Sequence, residues 1–287
     1  MKFQKNWILL ILGLSLATSP ALAQGGGGKP ASKLHWKFGP YTANLQDIAE
    51  IKVPEGYMFL EAGEARTVLE SWGNRTTGME QGLLMPTNTS WVVVFEYNPS
   101  GYVKDDEKDH LDADKILKSY RDGTEKQNEH RKEMGIPPLH VVGWEQPPKY
   151  NSETHNLEWA MRAESAGAFS VNYNTRLLGR KGVMELLLLV DADKLTQTIP
   201  EFQALLQNYS YKEGQRYAEY KKGDKIAQYG LAALITGGAA VVAVKTGLFA
   251  WLILFLKKAW KLVAVGVAAI GAFIKKLVTG DRSNKQS

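Results

Sequence analysis

Ten consecutive positions, Asp105-Asp106-Glu107-Lys108-Asp109-His110-Leu111-Asp112-Ala113-Asp114, hold the densest set of side chains capable of chemistry in this chain. Asp105, Glu107 and Asp109 alternate, and oxygen ligands at that spacing suit Ca²⁺ or Mg²⁺. The EF-hand pattern fails, because His110 stands where the sixth loop position needs glycine and Ile116 where the twelfth needs glutamate. A solvated loop entering a helix explains most of these charges, since acidic side chains are favoured at the positive end of the macrodipole. A second candidate is Gly179-Arg180-Lys181-Gly182, where paired cations beside glycines could grip an anion. A β-turn accounts for the same residues with less. The ligand-binding residues expected from these patterns are Asp105, Asp106, Glu107 and Arg180, with no metal and no cofactor.

Other chemistry finds little support. His35, His110, His130, His140 and His155 fall in no zinc-like spacing, although His110 could join Asp105 or Asp106 in three dimensions. No Gly-x-Ser-x-Gly elbow, Walker loop or dinucleotide fingerprint is present. Cysteine is absent, which removes a thiol nucleophile, a disulfide framework and a lipidated anchor together. Glu96 is the acid placed most suggestively, inside an apolar run, and strand alternation puts it on a solvent face.

These side chains must be carried by a modest set of elements. Residues 91–97, aromatic and β-branched and bounded by turn signals, read as a central strand. Residues 64–72 fit a helix with Val68, Leu69 and Trp72 on one face and Gly73 as its stop. Residues 43–51 read as a short helix or turn, and 57–60 as a brief apolar run. Residues 112–134 read as a charged surface helix with Gly123 as a point where it could break. Three strands follow at 139–145, 156–163 and 168–173, separated by Pro147-Pro148 and Ala166-Gly167. Residues 183–190 suit a strand buried on both faces. A helix opens at Thr198-Ile199-Pro200, with the proline in its first turn and Phe202, Leu205, Leu206 and Tyr209 along one side. This order predicts an α+β fold with a mainly antiparallel sheet and segregated helices.

Charge is unevenly spread. Residues 24–225 hold 25 Lys and Arg against 29 Asp and Glu, a net of −4, whereas residues 226–287 hold 8 against 1, a net of +7. The basic character therefore belongs to the tail, and the main body is not expected to bind nucleic acid. Lys2 and Lys5 precede the apolar residues 7–14 and the triplet Ala21-Leu22-Ala23, which predicts a signal peptide over 1–23. A flexible leader over 24–33 opens an extracytoplasmic domain over 24–225. Residues 226–256 are apolar apart from a few positions and read as a transmembrane segment, with a span near 228–247 that lets Lys245 reach the inner interface. Residues 257–287 read as an interfacial helix and cytoplasmic tail, with Lys257, Lys258 and Lys261 toward the headgroups.

Val53-Pro54-Glu55-Gly56-Tyr57, Gly101-Tyr102-Val103-Lys104-Asp105-Asp106-Glu107, Gly143-Trp144, Val171-Asn172-Tyr173, Leu178-Gly179-Arg180 and Gly230-Leu231-Ala232-Ala233-Leu234-Ile235 resemble the bacterial family described as domain of unknown function 2167. The resemblance covers nearly the whole mature chain. It implies a membrane-anchored protein and supplies no activity or catalytic residue. The stretch 171–213 is also similar to the closing half of PsbP/Mog1-like domains, which implies an α/β/α sandwich on an antiparallel sheet. The expected function is a non-enzymatic binding or assembly module, held at the inner membrane with its main domain in the periplasm and meeting a protein or envelope partner. The alternative is a hydrolase or metal-dependent enzyme acting on an envelope substrate through residues 105–114 and nearby histidines.

Overall fold

The computed structural model describes residues 34–236 apart from 73, 75, 134 and 136. Along the chain run β1 (Lys37–Phe38), β2 (Tyr41–Leu45), β3 (Ala49–Val53), β4 (Tyr57–Glu61), α1 (Ala62–Ser71), β5 (Glu80–Pro86), β6 (Trp91–Asn98) and α2 (Ala113–Glu133). Then come β7 (His140–Asn151), β8 (Asn156–Ser165), β9 (Ala168–Leu178), β10 (Val183–Val190), α3 (Leu195–Leu206), β11 (Tyr209–Tyr211) and α4 (Leu231–Thr236). Eight strands form one sheet in the order β1-β4-β5-β6-β10-β9-β8-β7, and β11-β3-β2 form a second. Every ladder within the two sheets is antiparallel, which is the α+β architecture the element order predicts.

The strand period of two gives the large sheet two covered faces. On one, Trp91, Val93 and Phe95 of β6 and Met184, Leu186 and Leu188 of β10 pack against the small sheet through Leu45 and Ile51, and against α3 through Phe202 and Leu205. This outer layer mixes strands with a helix, so the α/β/α description fits only the opposite face. There, Val92 and Val94 meet Ala65, Val68 and Leu69 of α1. Farther along, Leu157, Trp159, Leu178 and Val183 meet Ile116 of α2, Val103, and Leu231, Leu234 and Ile235 of α4.

Several expectations need correction. Residues 43–51 are a β-hairpin: Ala43, Leu45, Ala49, Ile51 and Val53 alternate as buried positions, and Gln46 turns the chain at φ 52°. Strand β5 has no counterpart in the sequence reading, because all seven of its residues are buried and no alternation shows. Pro147 and Pro148 lie inside β7 and mark no turn; β7 is an edge strand whose register slips between Gln146 and Lys149, where missing N–H donors are tolerated. The turn comes later, through His155 at φ 54°. Ala166-Gly167 does form the predicted tight turn, with both residues at positive φ. Helix α2 runs through Gly123 without interruption. Helix α3 starts at Leu195, so Pro200 sits inside it and not in its first turn.

The folded body also extends past residue 225. Leu231 is fully buried, with Leu234 and Ile235 nearly so, in the cluster that includes Val103 and Ile116. Among the described residues no helix is long and apolar enough to cross a membrane. The signal peptide expected over 1–23, Gly73, and Lys245, Lys257, Lys258 and Lys261 lie outside the described residues.

Candidate functional site

Strand register assembles a polar row that no single stretch of sequence announces. Glu80 of β5 faces Glu96 of β6, Glu96 faces Glu185 of β10, and Glu185 faces Arg176 of β9. All four residues point to the face covered by the helices, so the expectation that Glu96 lies on a solvent face is wrong. Each member has a different local settlement. Glu80 is 1% exposed and accepts hydrogen bonds from the backbone N–H groups of Thr77 and Gly78 at 2.7 and 2.9 Å. Glu185 pairs with the Arg176 guanidinium at 3.1 Å and accepts a 3.0 Å hydrogen bond from the Asn98 amide. That amide also donates to the Tyr229 hydroxyl at 3.3 Å. Arg176 lies over the Trp159 ring at 4.9 Å, a cation–π arrangement, with its Nε buried and without a hydrogen-bond partner.

Glu96 lacks such a settlement. Burial, then the charges of Glu185 and Glu80, push its carboxyl up to about 7, against the opposing pull of Arg176. A carboxyl poised there exchanges its proton near neutrality, which is the property general acids and bases share. Sequence offered one signal: Glu185 is the charged residue within 183–190, as Glu96 is within 91–98. Pairing the two required the ladder.

The residues singled out by sequence are placed separately. Asp105 accepts a 3.1 Å hydrogen bond from the Tyr150 hydroxyl, which in turn lies 3.1 Å from Nδ1 of His155. Burial first, then the Asp105 charge, raises the Tyr150 phenol above its ordinary range, while burial lowers the His155 imidazole. His155 packs on Tyr217 at 4.3 Å, and Tyr102 stacks on Tyr217 at 4.4 Å. Asp106 is exposed. Glu107 accepts a 3.0 Å hydrogen bond from the Ala232 N–H at the start of α4. Arg180 makes a bidentate pair with Asp224 at 2.7 and 2.8 Å, which holds the Asp224 carboxyl down at about 2. The cation expected to grip a ligand is thus occupied by the protein's own carboxylate. The acidic segment does not gather its carboxylates around one point, and among the described residues no group of three His, Asp or Glu could hold a metal ion. A broad concavity of about 520 Å³, bordered by Glu125, Asn128, Glu129 and Lys132, contains none of the predicted residues.

What these side chains do accomplish is local. The segment 99–108 fixes the path of residues 224–236: Tyr102 N–H donates to Lys225 O at 2.8 Å, Ala227 N–H donates to Tyr102 O at 2.9 Å, and Lys225 Nζ donates to Pro99 O at 3.1 Å. With Glu107 on α4 and Asn98 on Tyr229, residues 98–107 clamp the segment 224–236 against the body of the domain.

No curated protein matches this chain. A solved structure similar to it is the solution structure of cyanobacterial PsbP (CyanoP) from Synechocystis sp. PCC 6803, at 8% identity and a TM-score of 0.35, covering 66% of this chain and 98% of that one. The model of a family described as protein of unknown function (DUF2167) matches residues 37–271, so the chain belongs to that family.

Proposed function

We propose that the protein is a membrane-anchored extracytoplasmic module of the cell envelope that binds or assembles with a partner and does not turn over a substrate. The observation that carries this reading is the clamp on residues 224–236, beyond which the apolar stretch of the sequence continues to Leu256. Because residues 231–236 are built into the domain, the proposed span starts after Thr236 and occupies 237–256. Twenty residues at ~1.5 Å each match a hydrocarbon core of ~30 Å. Lys245 then falls near mid-bilayer, at a cost of about 2.5–3.5 kcal/mol on insertion scales. Ten Val, Leu, Ile and Phe residues within 237–256, each contributing about −0.3 to −0.6 kcal/mol, offset it. Lys257, Lys258 and Lys261 follow at once and favour a cytoplasmic end.

The chain has no cysteine, so topology can be read with single substitutions. Asn44→Cys, exposed on β2, should react with a membrane-impermeant maleimide in intact spheroplasts, and Ser283→Cys should not. External labelling of Ser283→Cys, or protection of Asn44→Cys, refutes the topology. The alternative, a hydrolase, is favoured by the Asp105–Tyr150–His155 hydrogen-bonded line. An envelope hydrolase activity that His155→Asn abolishes while the fold is kept would overturn the binding reading.

A further inference from the structure

The turn that precedes the clamped exit carries an unusual surface. Tyr220 and Ile226 are 37% and 42% exposed, and both lie against Tyr102. Tyr102 packs against Tyr220 in a tilted arrangement, ring centroids 4.4 Å apart, and its backbone bridges to Ile226. Between them runs a turn closed by the Asp224 N–H donating to Lys221 O at 2.9 Å, which displays Lys221 and Lys222 to solvent, with Lys225 also exposed while its Nζ donates to Pro99 O at 3.1 Å. Exposed Lys181 stands close enough to help depress the Asp224 carboxyl, and its carbonyl accepts the Gly101 N–H at 3.1 Å, so it borders the same surface. The nearest carboxylates on this turn are already engaged: Asp224 with Arg180, and Glu219 with Arg216 at 3.7 Å. Exposed Asp106 and Asp109 belong to the adjoining segment and mark its acidic border.

We propose that Tyr220, Ile226, Lys181, Lys221, Lys222 and Lys225 form a docking surface for an anionic lipid headgroup layer. The proposal rests on the anchoring reading, because the length of chain beyond the patch identifies the occupant. Only ten positions carry the chain from Ile226 to Thr236, the last six in α4, which confines the patch to within about 25 Å of the point where the proposed span begins. At that distance a bilayer is the surface the patch meets. An aromatic ring with a polar tip and an aliphatic side chain suit the headgroup boundary. Clustered lysines supply the attraction to anionic lipid, and each contributes about a fivefold preference for the docked state. Docking of this kind fixes how the domain stands on the membrane and leaves the far end of the sheet facing away from it. That end includes Phe169, which is 60% exposed at the β8–β9 hairpin. Nine steps along β9 lead from Phe169 to Leu178, about 30 Å at ~3.3 Å per residue.

The test uses the full-length chain reconstituted in vesicles of phosphatidylcholine, with or without phosphatidylglycerol. Ile226→Cys and Phe169→Cys carry an environment-sensitive fluorophore, and flotation is read on the same samples. The expected result is flotation of both chains, with the Ile226→Cys probe blue-shifted and quenched by nitroxide lipid when phosphatidylglycerol is present, and the Phe169→Cys probe unaffected. Replacing Lys221 and Lys222 by Gln should lower the docked-to-free ratio about 25-fold. Flotation with a water-like Ile226→Cys signal, or with a signal indifferent to lipid charge and to both lysines, overturns the docking surface and leaves the anchor standing. Failure to float overturns the anchor itself.

Discussion

Replacing Glu96 with glutamine removes a proton-linked destabilisation that the wild-type domain carries at neutral pH. The carboxyl moves from an ordinary value of 4.5 in the unfolded chain to about 7 in the fold. At ~1.4 kcal/mol per pH unit that displacement corresponds to about 3 kcal/mol. A folded pKa above the unfolded one means that the native state holds the proton longer. The contribution is therefore complete below pH 4.5 and is lost as pH rises through 7. Wild type should lose about 3 kcal/mol relative to Glu96→Gln across this window, most of it between pH 5 and pH 7.5. Using the variant as reference cancels His155, whose depressed pKa acts in the opposite sense over an overlapping range. Urea unfolding at closely spaced pH values, followed by fluorescence of the buried Trp91 and Trp159, gives the difference directly. A gap between the two proteins that stays constant from pH 5 to pH 8, or that widens in favour of wild type as pH rises, would falsify the account of the carboxylate row.

Three further outcomes follow from the same geometry. Leu231→Ala should destabilise the domain by about 2–5 kcal/mol in urea melts, the range for a fully buried leucine, and a neutral effect would mean that residues 231–236 are not part of its core. Arg180→Ala should lower the melting temperature more than Arg180→Lys, because lysine keeps the charge beside Asp224 but loses the bidentate geometry; equal losses would show that the charge by itself contributes nothing and that the paired hydrogen bonds carry the whole effect. In an NMR titration the His155 imidazole should titrate below its ordinary value of 6.5, and coincidence with that value would contradict its burial against Tyr217.

The parts of the fold that sequence disclosed are those with a single, uninterrupted period. Helix α1 was legible from Val68 and Leu69, and β6 from its β-branched and aromatic run between turn signals. Misreadings arose where tertiary context overrode the local pattern. Ala43 to Ile51 read as a short helix or turn because alanine and leucine favour helices, yet the segment is two strands, folded back by a left-handed Gln46 so that every second side chain is buried. Strand β5 escaped because burial on both faces erases alternation. Pro147 and Pro148 suggested a turn, but an edge strand with a register slip has no ladder donors to lose there.

The site shows a different kind of limit. A run of acidic residues invites a ligand reading because sequence shows charges without their partners. Here the partners come from far along the chain: Tyr150 for Asp105, the Ala232 N–H for Glu107 and Asp224 for Arg180. Asp105, Glu107 and Arg180 are thus spent on holding distant segments together, while Asp106 is exposed. The converse holds for Glu80, Glu96, Glu185 and Arg176, spaced too irregularly to form a motif and yet aligned by three strand ladders. The stretches that carried the family resemblance gain a physical meaning from this. Tyr102 and Val103, Trp144, Leu178, and Leu231, Leu234 and Ile235 come from four of those stretches and join one apolar cluster. That cluster lies under the clamp on residues 224–236. What the four stretches specify together is the path of residues 224–236 over the helix-covered face of the sheet, which no single stretch fixes by itself.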